Sequence, residues 1–108
     1  MIASGEPIDQ RDDAKLTALA YALKNRDLGA ARRLLVLGAR PDTSVGFGEL
    51  PVALMPVLTG DIEAVRMMRH FGADYSMLHY QGETAFDYAK RSGNLAMLEV
   101  LGRKETTL

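Results

Sequence analysis

The sequence predicts an all-α fold, a solenoid of stacked antiparallel helix pairs joined by extended, hairpin-like loops. Three similar segments open at Thr17, Pro51 and Thr84, 34 and then 33 residues apart. A Gly-Ala pair follows the opening residue by 21 positions in the first two copies, at Gly38 and Gly72. Each copy also carries two short apolar stripes at helical spacing. A fixed period in this range is typical of stacked supersecondary units.

The first copy predicts two short helices separated by a tight turn. The Thr17 hydroxyl is expected to accept a hydrogen bond from the free N–H groups of the first turn. The inward-facing residues of the two helices are predicted to be Ala18, Leu19, Ala22 and Leu23, then Leu28, Ala31, Leu34 and Leu35. Gly38 should end the second helix in the left-handed conformation, and Pro41 keeps the following loop non-helical.

The third copy repeats this pattern, with Thr84 as the capping residue. Its inward-facing residues are predicted to be Phe86, Ala89, Leu95, Leu98 and Leu101. The last helix is expected over 94–104, where Glu99, Arg103 and Lys104 can face water and let this helix close the array. Neither helix of a copy exceeds about three turns, so stability must come from stacking between copies.

The second copy departs most from the pattern. Pro51 replaces the capping threonine, and Pro56 falls inside the first predicted helix. An interior proline removes a hydrogen bond and clashes with the preceding turn, at a cost of about 3 kcal/mol. We therefore expect this helix to be kinked, shortened or shifted. The preceding loop, 43–50, is one residue longer than its counterparts, and its apolar segment 45–48 is either tolerated drift or a finger that contacts a partner.

At these positions the chain resembles the ankyrin-repeat family, whose unit has about 33 residues and opens with Thr-Pro-Leu-His-x-Ala. Here the opening reads Thr-Ala-Leu-Ala-Tyr-Ala at 17–22 and Thr-Ala-Phe-Asp-Tyr-Ala at 84–89. The turn between helices reads Gly-Asp-Ile-Glu at 60–63, and the Gly-Ala-Asp ending falls at 72–74. Segment 5–9 resembles the tail of a preceding unit.

The resemblance implies a single domain over the whole chain. Its parts are a partial N-terminal repeat tail (1–14), repeat 1 (15–47), repeat 2 (48–81) and repeat 3 with the C-terminal cap (82–108). The family's histidine is absent, because Ala20, Leu54 and Asp87 stand at its position. In the family this histidine ties neighbouring loops together, so weaker coupling between repeats is expected here.

Composition excludes several classes of protein. The 108 residues carry a formal net charge of −1, so no global field attracts nucleic acid or an anionic membrane. The absence of cysteine rules out disulfides and thiolate metal sites. No apolar run reaches the roughly 18 residues of a membrane span. The N-terminus lacks the basic start and apolar run of a signal peptide, so a cytoplasmic location is expected.

No residue pattern predicts catalysis, a metal or a cofactor. The two histidines, His70 and His79, stand alone, whereas a zinc site needs about four ligands. The adjacent Asp12 and Asp13 are interpreted as solvated charges. Four cations cluster in the first copy and are interpreted as a solvated helix face rather than a nucleic-acid site: Lys24, Arg26, Arg32 and Arg33.

The resemblance also implies a binding surface. Partners of ankyrin proteins usually dock on the concave side, which is formed by loop tips and the exposed face of each first helix. The predicted partner-binding residues are Asp13, Leu16, Lys24, Asn25, Phe47, Leu50, Leu58, Tyr80, Gln81, Glu83 and Arg91. Ala14, Gly48, Thr59 and Ser92 lie on the same predicted face. Phe47 and Leu58 are either exposed there or tucked into a core disturbed by Pro56, and Tyr80 is predicted to be exposed.

The sequence thus predicts a non-catalytic module that binds one protein partner of unknown identity. A scaffold or adaptor is one use of such a module. The alternative is a small cytosolic inhibitor, of the immunity-protein type, that silences an enzyme or toxin. At the N-terminal edge, some of Leu16, Leu19 and Leu23 are expected to be poorly covered. Either the chain is a piece of a longer array, or this edge meets another chain, in the simplest case a second copy.

Overall fold

The protein is described by a computed structural model over residues 8–102. Three helix pairs follow one another along this part of the chain. Their bounds are α1 Ala18–Lys24 and α2 Leu28–Val36, α3 Met55–Thr59 and α4 Ile62–His70, and α5 Ala85–Ser92 and α6 Leu95–Gly102. The fold is therefore mostly helical, as predicted.

Two small antiparallel sheets interrupt the helices, and the all-α prediction did not include them as strands. They are hairpins in the loops between helix pairs: β1 Ser44–Val45 with β2 Leu50–Pro51, and β3 His79–Tyr80 with β4 Glu83–Thr84. The predicted hairpin-like loops thus contain short strands.

The capping threonines are confirmed. Thr17 Oγ1 accepts a hydrogen bond from the backbone N–H of Ala20 at 3.1 Å. Thr84 and Asp87 form a reciprocal capping box, in which each side chain accepts a hydrogen bond from the other residue's backbone N–H. The second helices share a cap of their own, because Asp27, Asp61 and Asn94 occupy equivalent positions and each accepts from the residue three further on. Each helix start thus has a local cause.

The first helix of the second copy is shortened, as Pro56 predicted. It has five residues, against seven in α1 and eight in α5. A 3-10 turn over Val52–Leu54 precedes it, and Pro51 makes no side-chain cap. Pro56 is the second residue of α3, where a missing N–H costs little because first-turn N–H groups have no partner within the helix.

The helix pairs pack side by side, with α3 between α1 and α5, and with α4 against α6. The largest apolar side chains of the resulting core are buried: Leu19, Leu23, Val45, Leu54, Val57, Val65, Met68, Met97 and Leu101. Of the three leucines among which poorly covered ones were expected, Leu16 is half-buried, whereas Leu19 and Leu23 are only 1% and 2% exposed. Both lie on α1, which packs against α3.

The last helix shows a second correction. Leu95 was expected to face the core, yet it is 76% exposed, and Met97 is fully buried instead. The equivalent Leu28 in the first copy lies beside Met67 of α4, the second helix of the next copy. Within residues 8–102 no further helix follows α6, so Leu95 has no such neighbour. Glu99 is exposed as predicted, while Arg103 and Lys104 lie outside the described residues.

Side chains tie each copy to the next despite the missing family histidine. Two donors reach a backbone carbonyl of the next copy: Arg26 that of Thr59, and Arg69 that of Val100 at 2.6 Å. These two bonds couple the repeats without an imidazole. Within the second copy, the Tyr75 hydroxyl donates to the Ala53 carbonyl at 2.7 Å.

The first described residues contact the rest of the fold. Of the predicted tail 5–9, residues 5–7 lie outside the described part of the chain, Ile8 packs against the core, and the Asp9 carboxylate accepts a hydrogen bond from the Arg40 N–H at 3.0 Å. Among the helices of residues 8–102, none is long and apolar enough to cross a membrane.

Candidate protein-binding face

Equivalent residues of α1, α3 and α5 line up in rows, because α3 packs between the other two helices. We call the exposed side of these helices, together with the tips of the loops before them, the inner face. One row contains Tyr21, Met55 and Tyr88, and a second row contains Lys24, Leu58 and Arg91. Neighbouring packed helices lie about 8–10 Å apart, so this is also the approximate spacing within a row.

The hairpin before α3 presents an aromatic side chain to solvent. Val45 is buried and anchors the strand, whereas Phe47 is 77% exposed at the tip. The tip turns through Gly46 and Glu49, both at positive φ (77° and 55°). Segment 45–48 thus has an exposed tip, which is compatible both with tolerated drift and with a finger that contacts a partner.

Leu58 is the apolar centre of the inner face. It is 50% exposed on α3, although its neighbour Val57 is buried in the core. The alternative in which Phe47 and Leu58 tuck into a disturbed core is therefore wrong. Pro56 is accommodated at the start of α3, so the core there is not opened.

Tyr80 is half-buried, although it was predicted to be exposed. Its ring lies 6.5 Å from that of Tyr88, centroid to centroid, and the Tyr88 hydroxyl donates to the Tyr80 carbonyl at 2.9 Å. Its own hydroxyl lies against the preceding hairpin, since a Cβ added at Gly48 would be 3.1 Å from that oxygen. Leu16 and Leu50 are also half-buried.

The predicted polar residues of the inner face are mostly exposed: Asp13, Lys24, Asn25, Gln81 and Arg91. Glu83 is half-buried and forms an ion pair with Arg91. The Arg91 guanidinium also lies over the Tyr88 ring, 5.0 Å from its centroid, in a cation–π contact. Arg91 is therefore held in place at the third-copy end of its row.

Asp12 is not the freely solvated charge that its sequence position suggested. Its Oδ1 accepts hydrogen bonds from the N–H groups of Ala14 and Leu16, at 2.9 and 3.0 Å, and its Oδ2 accepts from the Tyr21 hydroxyl. The Tyr21 hydrogen bond is the main reason why the pKa of Asp12 is lowered and that of Tyr21 is raised. The first loop is thus fixed to α1.

Sequence reasoning missed the row that contains Tyr21, Met55 and Tyr88. Each tyrosine links α1 or α5 to the loop before it, Tyr21 through Asp12 and Tyr88 through Tyr80. The recurrence of tyrosine at equivalent positions of the first and third copies was the signal in the sequence. It marks the corner where the inner helices meet the loops.

An apolar groove runs along the N-terminal edge, between α1 and α2. Its volume is about 460 Å³, and its lining includes Ala18, Ala30, Leu34 and Leu37. Ala30 and Leu34 are half-buried, whereas their equivalents Ala64 and Met68 in the second copy are fully buried. The uncovered apolar residues of this edge are therefore Leu34 and Leu37 rather than Leu19 and Leu23.

The remaining candidate sites are dispersed. His70 ends α4 and His79 lies exposed in β3, and residues 8–102 contain no group of three or more His, Asp or Glu placed to hold a metal ion. The cations of the first copy lie on different elements: Lys24 on α1, Arg26 in the turn, and Arg32 and Arg33 on α2.

The class of protein defined by these helix pairs, their caps and the loops between them is a repeat protein. A family model described as "Ankyrin repeats (many copies)" matches residues 50–101. Residues 50–101 thus consist of ankyrin repeats, and the identification made from the motifs is confirmed over these residues.

No curated protein matches the sequence. Among solved structures, the chain is similar to one in the complex of a predatory endopeptidase from Bdellovibrio bacteriovorus with an immunity protein. The identity is 19%, the TM-score is 0.46, and the alignment covers 92% of this chain and 69% of the other.

Proposed function

We propose that this protein is a non-catalytic interaction module that binds one protein partner through its inner face. In this proposal the three helix pairs form a short solenoid, with the repeat boundaries predicted from the sequence, and the inner face is its concave side. The ankyrin repeats at 50–101 support a role in protein–protein interaction. Neither a metal nor a cofactor is part of the proposal.

The observation that carries the proposal is the exposure of Phe47 and Leu58 on the inner face. They are 77% and 50% exposed, whereas Val45 and Val57 beside them are buried. Large apolar and aromatic side chains that protrude from an ordered surface are typical of binding sites, where they contribute most of the affinity.

Backbone hydrogen bonds hold the loop of Phe47. The Gly46 N–H donates to the Lys15 carbonyl at 2.8 Å, and the Glu49 N–H donates to the Gly46 carbonyl at 3.1 Å. An ordered surface lowers the entropic cost of binding.

Two uses of the module differ in their partners. A scaffold or adaptor would contact several ligands, whereas a small inhibitor of the immunity type would occupy a single enzyme or toxin and silence it. A cytoplasmic location belongs to the same proposal. The inner face has the same role in both uses, so identification of the bound protein decides between them.

Site-specific photo-crosslinking in the native cell tests the proposal. A photoreactive phenylalanine analogue is placed at Phe47 or at Leu58, and separately at Val36 and Leu95 as controls. The controls are similarly exposed, at 66% and 76%, but they lie on α2 and α6, the second helices of their copies, and not on the inner face. We expect one shared crosslinked protein from the two inner positions and none of it from the controls.

The purified partner extends the test. Phe47→Ala and Leu58→Ala should each weaken its binding at least about tenfold while the melting temperature changes little. An enzyme that loses activity when bound assigns the inhibitor role, and several crosslinked proteins assign the scaffold role. Equal crosslinking from inner and outer positions would refute a dedicated inner binding face.

A further inference from the structure

We propose, on the basis of the proposed function, that the inner face binds an amphipathic helix with one apolar side chain and one carboxylate. The apolar side chain packs on Leu58, and the carboxylate pairs with Lys24. This assignment names the chemistry of the partner segment and the two residues that select it.

The apolar part of the argument rests on the middle of the face. Leu58 is half-exposed between two cations at equivalent positions, Lys24 and Arg91. Met55, one turn earlier on α3, is half-buried and extends the apolar surface toward the loops. A side chain of the partner that covers Leu58 therefore meets an apolar patch one or two residues wide, with a charge at either end of the row.

The electrostatic part rests on which of these charges is already paired. Arg91 forms an ion pair with Glu83 and lies over the Tyr88 ring. Lys24 is exposed, and no ion pair within residues 8–102 involves it. The free charge of this row is therefore positive, and it lies at the first-copy end.

Within residues 8–47 no acidic side chain forms an ion pair with Lys24, and Asp27, three residues further on, caps α2 by accepting a hydrogen bond from the Ala30 N–H at 3.0 Å. Asp12 is engaged by the Tyr21 hydroxyl and by two backbone N–H groups of its own loop. Asp13 is exposed at the tip of that loop, which is closed by hydrogen bonds between the backbones of Asp12 and Leu16. A carboxylate supplied by a partner is the complement that Lys24 lacks, and such complementarity sets specificity more than affinity.

The spacing of the row favours a helix as the bound segment. Lys24 and Leu58 lie on neighbouring packed helices, whose axes are about 8–10 Å apart. Two turns of an α-helix advance about 10.5 Å, so residues seven apart present their side chains on one face at a matching distance. An apolar anchor and an acid seven residues apart therefore fit the face together.

A phage-displayed library of 18-residue helical peptides, randomised on one face, tests this inference. Peptides selected on the wild-type protein should carry Leu, Ile, Met or Phe with Asp or Glu seven residues away. The charge reversal Lys24→Glu should weaken binding of the selected peptide at least about tenfold, and a new selection on this variant should enrich Lys or Arg at the acidic position.

The control reverses the same charge elsewhere. Arg32, on the second helix α2 of the first copy, is also exposed, and Arg32→Glu should leave binding unchanged. Circular dichroism melting of each variant separates a loss of binding from a loss of fold.

The outcomes distinguish this inference from the proposed function. Peptides that need Phe47 and Leu58 but ignore Lys24→Glu would overturn the charge assignment and leave the inner face as the binding site. Selected peptides that bind the Phe47→Ala and Leu58→Ala variants undiminished, or no enrichment over the Leu58→Glu variant, would overturn the inference, and the proposed function would still be decided by crosslinking from Phe47 and Leu58.

Discussion

The helices α3 and α5 occupy equivalent positions in adjacent copies, yet they begin in different ways. α5 has eight residues and a reciprocal capping box between Thr84 and Asp87. α3 has five residues, follows a 3-10 turn, and has no side-chain cap. α3 is also the helix that packs between two others, and its region contributes the buried Leu54, Pro56 and Val57. α3 thus forms without a side-chain cap because it packs against first helices on both sides, whereas α5, which packs against α3 on one side, keeps its capping box.

The largest expected effect comes from the core of the middle copy. Met68→Ala removes a fully buried side chain of α4, so it should lower the free energy of unfolding by about 2–5 kcal/mol. Leu34→Ala, at the equivalent position of the first copy, should cost clearly less because Leu34 is half-buried beside the edge groove. Urea unfolding measures both. Equal losses would show that the first copy is as well covered as the second.

The next effect concerns a buried hydrogen bond inside the second copy, between the loop after α4 and the 3-10 turn before α3. Tyr75→Phe removes the hydroxyl that donates to the Ala53 carbonyl and leaves that buried acceptor unpaired, which should cost about 1–3 kcal/mol. Chemical denaturation at neutral pH measures the loss. A variant as stable as the wild type would mean that packing alone holds this loop against the second copy.

The same tyrosine predicts a pH dependence. Burial raises the pKa of Tyr75, so its contribution to stability is intact below the unfolded-state pKa of about 10 and declines as pH rises above it. Between pH 8 and 11 the free energy of unfolding should therefore decrease less steeply with pH for Tyr75→Phe than for the wild type. Parallel curves would exclude this contribution.

A smaller effect is expected at the cap of α5. Thr84→Ala should cost about 1 kcal/mol because it removes the acceptor for the Asp87 N–H. The hydrogen bond from the Thr84 N–H lowers the pKa of Asp87, so the box contributes above the usual aspartate pKa and weakens as pH falls through the lowered value. Thr84→Ser, which keeps the hydroxyl, is the matched control. A serine variant that loses as much as the alanine variant would assign the loss to the methyl group.

The smallest effect is expected for Pro56→Ala, below about 1 kcal/mol. The proline lies in the first turn of α3, where its missing N–H costs little, and the loss of its buried ring offsets any gain in helix propensity. A stabilisation of about 2 kcal/mol or more would mean that Pro56 strains α3. Loss of partner binding at unchanged melting temperature would instead make the short helix part of the binding face.

Local features of the chain were readable without a structure. The period, the threonine caps and the shortening at Pro56 depend on a hydroxyl, a backbone N–H or a fixed φ within a few residues. The Gly-Ala pairs belong to this class, since Gly38 adopts φ 110° just after α2. The placement of Phe47, Lys24 and Leu58 on loop tips and first helices was implied by the resemblance to ankyrin repeats.

Only the tertiary structure decided which apolar residues are covered. Leu95 and Met97 both fit a helical stripe, yet one is 76% exposed and the other is fully buried. Leu19 and Leu34 were assigned to inward stripes of the same copy, but the neighbouring helix pair covers Leu19 and leaves Leu34 half-exposed. Helical periodicity specifies the face of a helix, whereas burial depends on a neighbour more than 30 residues away along the chain. The sequence by itself therefore determined the repeats and their ends, and the stacking of these repeats decided the core and the surface left for a partner.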